Sequence, residues 1–206
     1  MSLVIGIDFD NTIVCYDEVF HLVACEKKII PHTLDKNKEC VRNYLRQEGR
    51  ESEWTELQGY VYGTRMRDAS AYPGVIDFLK CAIAKGVLLY IISHKTLYPY
   101  RGPQYNLHNA AYDWLEYNNI FNENHVGLKP EFVFFEQAIE DKLKKINNKQ
   151  CSYFIDDLPE LFSRTDFPNN AKKILFKPNA TDESIPQDCL IFKSWLDIND
   201  YLLKKI

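Results

Sequence analysis

Two carboxylates stand two residues apart near the start of the chain, in the segment Asp8-Phe9-Asp10-Asn11-Thr12. The apolar run 3–7 precedes them and has the β-branched residues typical of a buried strand. Because side chains alternate in direction along an extended segment, Asp8 and Asp10 can face one point. Carboxylates held that close repel each other, and a bound cation relieves the repulsion. The segment therefore predicts a cation site, with a polar turn after a strand as the alternative.

A second acidic pair and a hydroxyl follow two further apolar runs. Asp156 and Asp157 follow the run 151–155, and Ser93 follows the run 87–92. In open α/β sheets, functional groups gather at the carboxyl ends of the strands, where the loops converge. We therefore expect both acidic pairs and Ser93 to meet at one edge of a sheet.

Together these residues resemble the motifs of the haloacid dehalogenase-like (HAD) superfamily of phosphohydrolases. Residues 8–12 are similar to its first motif, Asp-x-Asp-x-Thr, Ser93 to its second and the acidic pair 156–157 to its fourth. The third motif is a lysine upstream of the acidic pair. Lys142 is the preferred candidate, near the start of the predicted helix that leads to the fourth motif, and Lys129 is the alternative.

The resemblance implies phosphoryl transfer through an aspartyl-phosphate. Asp8 would be the nucleophile. Asp10 would protonate the departing oxygen and then take a proton from the water that hydrolyses the intermediate. Ser93 would hydrogen-bond a phosphoryl oxygen, and Lys142 would orient Asp8 as a point charge.

The resemblance also implies Mg²⁺ as the cofactor. Its ligands would be the carboxylate of Asp8, the backbone carbonyl of Asp10 and the acidic pair. Within the pair, Asp157 ranks above Asp156 as the direct ligand, and Asp156 could act through water.

Two neighbouring residues are candidates for substrate binding, each with a structural alternative. Thr12 follows the first motif, where bracing the turn after Asp8 is the favoured role and substrate contact the alternative. His94 follows Ser93 and could lie beside the phosphate or be a hydrogen-bonded structural histidine.

The acid at position 10 separates two reaction types. In the superfamily that the chain resembles, carbon–halogen hydrolases lack an acid there, because a halide leaves without a proton. With Asp10 present, the resemblance implies a phosphomonoester hydrolase that acts on a small phosphorylated metabolite, such as a nucleotide or sugar phosphate. The alternatives are a phosphomutase with the same intermediate and a non-catalytic metal-binding or regulatory protein.

Strands and helices alternate along the chain. This pattern predicts an α/β fold, a Rossmann-like three-layer sandwich with a central parallel sheet. The predicted strands cover residues 3–7, 87–92, 131–135, 152–156, 173–176 and 189–192. The predicted helices cover residues 16–29, 34–48, 51–60, 75–85, 104–118, 137–147 and 195–204.

The stretch between the first two motifs is far longer than an ordinary strand–helix connection. We therefore expect a catalytic core at 1–15 and 73–206 and a small helical cap at 16–72, and caps of this kind act as lids. Substrate choice is expected to reside in the cap, with one further candidate on the loop after the second motif. The candidates are Arg46, Arg50, Trp54, Tyr60, Tyr62, Arg65, Arg67 and Arg101.

Composition excludes some classes of partner. The net charge is −4 without a basic stripe, so a nucleic acid partner is not expected. No apolar run approaches the ~18–20 residues of a membrane span, so no membrane partner is expected. The six cysteines are scattered without metal-ligand spacing, which indicates reduced thiols in a cytoplasmic protein. The sequence leaves the oligomeric state open.

Overall fold

The computed structural model describes residues 3–179, 186 and 188–204 of the 206-residue chain. These residues form two compact units. Unit 1 takes its residues from Met1–Ile13, Ala71–Lys95 and Asn119–Ile206, and unit 2 from Val14–Ser70 and Thr96–Asn118. Unit 2 thus contains the segment 96–118, which the sequence analysis assigned to the core.

The strands are β1 (Val4–Ile7), β2 (Val14–Cys15), β3 (Ser70–Ala71), β4 (Leu88–His94), β5 (Val133–Glu136), β6 (Tyr153–Asp156), β7 (Lys172–Phe176) and β8 (Leu190–Phe192). The helices are α1 (Asp17–Glu26), α2 (Lys38–Gln47), α3 (Glu51–Gly63), α4 (Val75–Ala84), α5 (Leu107–Tyr117), α6 (Ile139–Asn148), α7 (Pro159–Phe162) and α8 (Trp195–Leu203), with 3-10 helices at Met66–Asp68 and Pro130–Phe132.

A six-stranded sheet forms the centre of unit 1, in the order β5-β4-β1-β6-β7-β8. Each neighbouring pair in it is parallel. Helices flank the sheet, which is the predicted α/β Rossmann-like fold. The strands are short apolar runs with little alternation, as parallel strands covered on both faces require.

The register of three adjacent strands brings the motif residues to one edge. Ile7 of β1 lies opposite Ile91 of β4 and Ile155 of β6. The backbone N–H of Asp8 donates to the carbonyl of Ile155 at 2.8 Å, so the pairing continues into the first motif. The carboxyl ends of β1, β4 and β6 therefore deliver their polar residues side by side.

Gly6 allows β1 and β6 to approach closely. A Cβ at this position would lie 2.6 Å from the ring of Phe154, which is fully buried in β6, and 3.0 Å from the sulfur of Cys151. Since real Cβ atoms do not come so near to other atoms, a larger residue would displace one strand from the other.

Unit 2 is helical and has an aromatic centre. The ring of Phe20 in α1 packs against Trp54 of α3 at 5.1 Å and Tyr62 at 5.6 Å, and Tyr16 packs against Tyr62 at 4.9 Å. The indole N–H of Trp114 donates to the carbonyl of Ala69 at 2.8 Å. These contacts give unit 2 its own core.

All six cysteines fall within the described residues and are free thiols. Of the helices that the structure describes, none combines the length and the apolar character needed to cross a membrane.

Candidate active site

A buried lysine lies between two buried carboxylates at the end of the sheet. Nζ of Lys142 donates to Oδ1 of Asp8 at 2.5 Å and to Oδ2 of Asp156 at 2.6 Å. The lysine is 1% exposed, Asp8 is 4% exposed and Asp156 is fully buried. Lys142 lies in the first turns of α6, which follows β5, and so reaches residues that end β1 and β6. The arrangement fixes the orientation of Asp8.

Burial and charge compete at this cluster. Burial alone would lower the pKa of Lys142, but Asp156 and Asp8 raise it above its usual value, so the side chain is an ammonium. Burial raises the pKa of Asp8 well above its usual value; Lys142 opposes that rise, while Asp156 and Asp157 add to it. A further cation beside Asp8 would favour its ionised form.

The donor set fits a hard divalent cation. Oxygens of Asp8, Asp156 and Asp157 all lie within 4.8 Å of one another. Around an octahedral Mg²⁺, adjacent ligand oxygens are about 3.0 Å apart and opposite ones about 4.2 Å, which follows from Mg–O distances near 2.1 Å. The three carboxylates therefore lie near enough to one another to surround a single ion, directly or through water.

The two members of the acidic pair differ in burial. Asp156 is fully buried, where Oδ2 accepts from Lys142 and Oδ1 accepts from the N–H of Leu158 at 2.9 Å. Asp157 is partly exposed and accepts from the hydroxyl of Thr12 at 3.5 Å. Asp157 is therefore the more accessible of the two, and its rank as the direct ligand stays a prediction.

A second buried lysine, which the sequence pattern did not predict, lies beside the first motif. Nζ of Lys95 contacts both carboxylate oxygens of Asp10, at 2.7 and 2.9 Å. Lys95 is 4% exposed and follows directly after β4. It stands two residues after Ser93, the spacing that places two side chains on the same side of an extended segment. This spacing is the sequence feature that could have identified Lys95 as a site residue.

The net charge of the side chains at the site is one that a divalent cation would neutralise. The four acidic residues of the two motifs have two ammonium partners, Lys95 and Lys142. With every carboxylate ionised, these six side chains leave two negative charges. One divalent cation neutralises that remainder.

Ser93 presents a buried hydroxyl at the end of β4. The residue is 1% exposed, and its Oγ is the one buried side-chain polar atom without a hydrogen-bond partner among the described residues. A buried polar group without a partner costs free energy. The hydroxyl is therefore suited to bind a polar ligand group.

This chain is similar to proteins of known structure, although its sequence matches no family model and no curated protein.

Three solved structures similar to this chain span almost its whole length. A HAD family hydrolase from Deinococcus radiodurans R1, with bound phosphate and sodium, is 12% identical over 98% of this chain and 96% of its own, with a TM-score of 0.61. A HAD hydrolase of family IA, variant 3, from Entamoeba histolytica HM-1:IMSS is 14% identical over 96% and 95%, with a TM-score of 0.55. A dehalogenase is 10% identical over 98% and 97%, with a TM-score of 0.52.

The chain has the HAD-like fold. At these identities the similarity establishes the fold, and the reaction has to be inferred from the site itself.

In this HAD-like fold, the two candidates for the third-motif lysine lie in different places. Lys142 contacts Asp8, whereas Lys129 precedes the 3-10 helix Pro130–Phe132. Contact with Asp8 is the feature that the resemblance assigns to this lysine. The geometry therefore favours Lys142.

The two candidate substrate-binding neighbours have other contacts in the HAD-like unit 1. Thr12 is fully buried, its hydroxyl donates to Asp157, and its carbonyl accepts from the indole N–H of Trp195 at 3.0 Å. His94 is exposed, and its Nε2 lies 3.3 Å from the carbonyl of Gln137. These contacts suit the structural alternative for each residue, and substrate binding by either stays a prediction.

The cap candidates for substrate choice are held by contacts within unit 2. Trp54 is buried in the aromatic centre, and Tyr60 and Tyr62 also pack against other rings. The arginines form ion pairs: Arg46 with Glu51, Arg50 with Glu53, Arg65 with Glu26 and Asp68, Arg67 with Asp113, and Arg101 with Glu56. Each therefore has a structural role, and a part in substrate choice stays a prediction.

Proposed function

We propose that this protein is a Mg²⁺-dependent phosphomonoester hydrolase that acts on a small phosphorylated metabolite through an aspartyl-phosphate on Asp8. The observation that carries the proposal is the convergence of Asp8, Lys142 and the acidic pair at the end of the sheet. Phosphoryl transfer needs positioning and electrostatic stabilisation more than elaborate covalent chemistry. This cluster supplies both.

Asp8 is the nucleophile. Lys142 holds one of its oxygens, so the carboxylate has a fixed orientation before substrate binds. Its attack forms an oxygen–phosphorus bond as the ester bond between phosphorus and the leaving oxygen breaks. A carboxylate that is already oriented in line with the leaving oxygen loses less conformational entropy on reaching the transition state, which lowers the barrier.

Asp10 transfers protons in both half-reactions. It gives a proton to the leaving alkoxide in the first. In the second it takes a proton from the water that attacks the aspartyl-phosphate, and phosphate is released with Asp8 restored. Its side chain is one-fifth exposed, which leaves it accessible to substrate and water.

The donor set supports Mg²⁺ as the cofactor. The carboxylates of Asp8 and Asp157 and the backbone carbonyl of Asp10 would hold the ion, with Asp156 acting through water. When bound, Mg²⁺ neutralises charge on the phosphoryl oxygens. The hydroxyl of Ser93 donates to a phosphoryl oxygen and thereby gains the partner that it lacks among the described residues.

Asp10 favours a phosphate ester over a haloacid as the substrate. One of the similar structures is a dehalogenase, so the fold itself does not separate the two reactions. A halide ion leaves without a proton, whereas an alkoxide needs one. An acid beside the nucleophile serves only the second reaction.

The test is release of phosphate from an aryl phosphate and from a panel of sugar phosphates and nucleotides at fixed Mg²⁺. We expect turnover that needs Mg²⁺ and is lost in EDTA. Absence of turnover in a folded, Mg²⁺-loaded sample contradicts the proposal and favours a non-catalytic role. An isomerised product without free phosphate would identify a phosphomutase instead.

A further inference from the structure

Each carboxylate of the first motif has its own buried ammonium. Lys142 contacts Asp8, and Lys95 contacts Asp10. The second contact is bidentate, since Nζ lies 2.7 Å from one oxygen and 2.9 Å from the other. Two such contacts restrict the rotation of the Asp10 carboxylate, which a single hydrogen bond would not do.

Lys95 is itself held firmly by its surroundings. Its backbone N–H donates to the carbonyl of Glu136 at 2.8 Å, which extends the pairing of β4 with β5 beyond the last strand residue. Its side chain is 3% exposed, and Nζ lies 5.6 Å from the centre of the Phe9 ring. A long side chain that is anchored at its base and buried along its length has few alternative rotamers.

Burial of this lysine has a cost that its contact with Asp10 must offset. An ammonium taken out of water loses its hydration, and folded proteins seldom bury one unless it is paired. A surface ion pair could neutralise Asp10 without this cost. The buried placement is explained if the protein needs the carboxylate of Asp10 in one orientation.

We propose that Lys95 is a positioning residue that holds the carboxylate of Asp10 for proton transfer to the leaving oxygen and from the attacking water. The inference rests on the proposed phosphomonoester hydrolysis. When Asp10 carries the proton to be delivered, one oxygen still accepts from Lys95 and the other bears the proton. The ammonium thereby limits how far the carboxyl group of Asp10 can turn away from the leaving group.

Positioning of an acid matters only where the leaving group needs a proton. An alkyl phosphate releases a basic alkoxide, whereas an aryl phosphate with an acidic phenol departs with little protonation. Since general acid–base catalysis contributes about 10²–10⁴-fold, misplacing the acid should slow formation of the aspartyl-phosphate by part of that factor for alkyl substrates alone. Hydrolysis of the intermediate, in which Asp10 is the base, is common to both esters. The alkyl-to-aryl ratio of kcat/KM is therefore the property that Lys95 controls.

The test compares kcat and KM of Lys95→Met, Lys95→Gln and Lys95→Arg on one alkyl and one aryl phosphate. For the Met and Gln variants we expect kcat/KM, which reports formation of the aspartyl-phosphate, to fall about 10-fold or more on the alkyl ester and to stay within about 3-fold on the aryl ester. Lys95→Arg keeps charge and donors and should recover part of the alkyl activity. The matched control is Lys173→Met, which removes another lysine of the sheet that is paired with an aspartate, Asp188, away from the site.

A double-mutant cycle separates positioning from direct contact with substrate. In the Asp10→Asn background, Lys95→Met should change neither kcat nor the alkyl-to-aryl ratio further, because Lys95 acts through Asp10. Additive losses would mean that Lys95 contacts the phosphate itself and would overturn the proposal. Equal losses in kcat/KM on both esters in a folded Lys95 variant would overturn it too.

A crystal structure of Lys95→Met tests the inference apart from activity. We expect the carboxylate of Asp10 to rotate or to occupy more than one orientation. An unchanged carboxylate contradicts the proposal, whichever substrate the protein uses. If the wild-type protein hydrolyses no phosphate ester, the proposed function fails, whereas this structural comparison still reports whether Lys95 orients Asp10.

Discussion

The ion pair between Asp8 and Lys142 orients the carboxylate of Asp8 more than it stabilises the folded protein. Both side chains are buried, and desolvation of two charges can exceed their mutual attraction. Apolar residues of similar volume would be as stable at such a position. The presence of charge there is explained by a need for a fixed carboxylate at the end of β1.

At the residue scale, Asp8→Asn should abolish turnover while the protein stays folded. The variant keeps the shape of the side chain and removes the nucleophile, and it also removes a carboxylate that burial and two acidic neighbours disfavour. Phosphate release and the thermal unfolding midpoint are the measurements. The control is Asp141→Asn, a half-buried aspartate paired with Lys144, which should retain wild-type turnover. Residual activity of Asp8→Asn near the wild-type level would exclude Asp8 as the nucleophile.

Lys142→Met should destabilise the protein strongly. Removing the ammonium leaves Asp8 and Asp156 buried without their shared partner, and breaking a buried pair in this way costs about 3–5 kcal/mol. Urea unfolding measures the change in the free energy of unfolding. The control, Lys144→Met, removes an exposed lysine of the same helix and should change stability little. Equal, small effects of the two substitutions would contradict the buried triad.

At the scale of elements, the strands that build the site were predictable because each is a short apolar run that ends at a polar residue. Predicted and observed bounds of the helices differ by up to four residues, as in α2, because propensity changes little at helix ends. The two-residue strands β2 and β3 and the one-turn helix α7 were missed, since elements so short contain no periodicity.

Lys95 shows why part of the site escaped prediction. A lysine just after a strand is usually a solvated residue, and its burial depends on where Asp10 lies in three dimensions. Lys142 was found through the resemblance, which assigns a lysine to that region of the chain. No corresponding expectation existed for a lysine two residues after Ser93.

Gly6→Ala should test how closely β1 and β6 must pack. The added Cβ would press on the ring of Phe154, and overpacking of a core costs about 1–3 kcal/mol. Displacement of β1 would also move Asp8 relative to Asp156, so we expect lower turnover together with lower stability, measured by phosphate release and urea unfolding. The control is the double variant Gly6→Ala with Phe154→Leu, which removes ring atoms near the new methyl group. If the second change restores neither property, the contact is not the cause.

For the whole molecule, the two compact units depend on contacts between segments that are far apart in sequence. The long stretch between the first two motifs indicated an inserted cap at 16–72, and that functional assignment stays a prediction. Unit 2 also includes 96–118, which the chain reaches only after β4 of unit 1 is complete. Local patterns cannot reveal that two segments so far apart in sequence share one core, with α3 packed against α5.

Mg²⁺ should stabilise the whole molecule, because the cluster of three carboxylates exists only when the strands are assembled. A ligand that binds the folded state alone at 100 times its Kd adds about 2.7 kcal/mol to the free energy of unfolding. We therefore expect the thermal unfolding midpoint to rise with Mg²⁺ concentration until the site is saturated. Asp157→Asn should abolish most of this rise, since it removes the most accessible carboxylate of the cluster.

Asp188→Asn is the matched control for this experiment, because it removes an aspartate that pairs with Lys173 and lies outside the cluster. It should retain the wild-type response to Mg²⁺. A midpoint that does not respond to Mg²⁺ in the wild-type protein would contradict a metal site at this cluster. A response that persists unchanged in Asp157→Asn would instead assign the ion to other ligands. The two carboxylates that remain, Asp8 and Asp156, already share the ammonium of Lys142 and would bind a cation less well without Asp157.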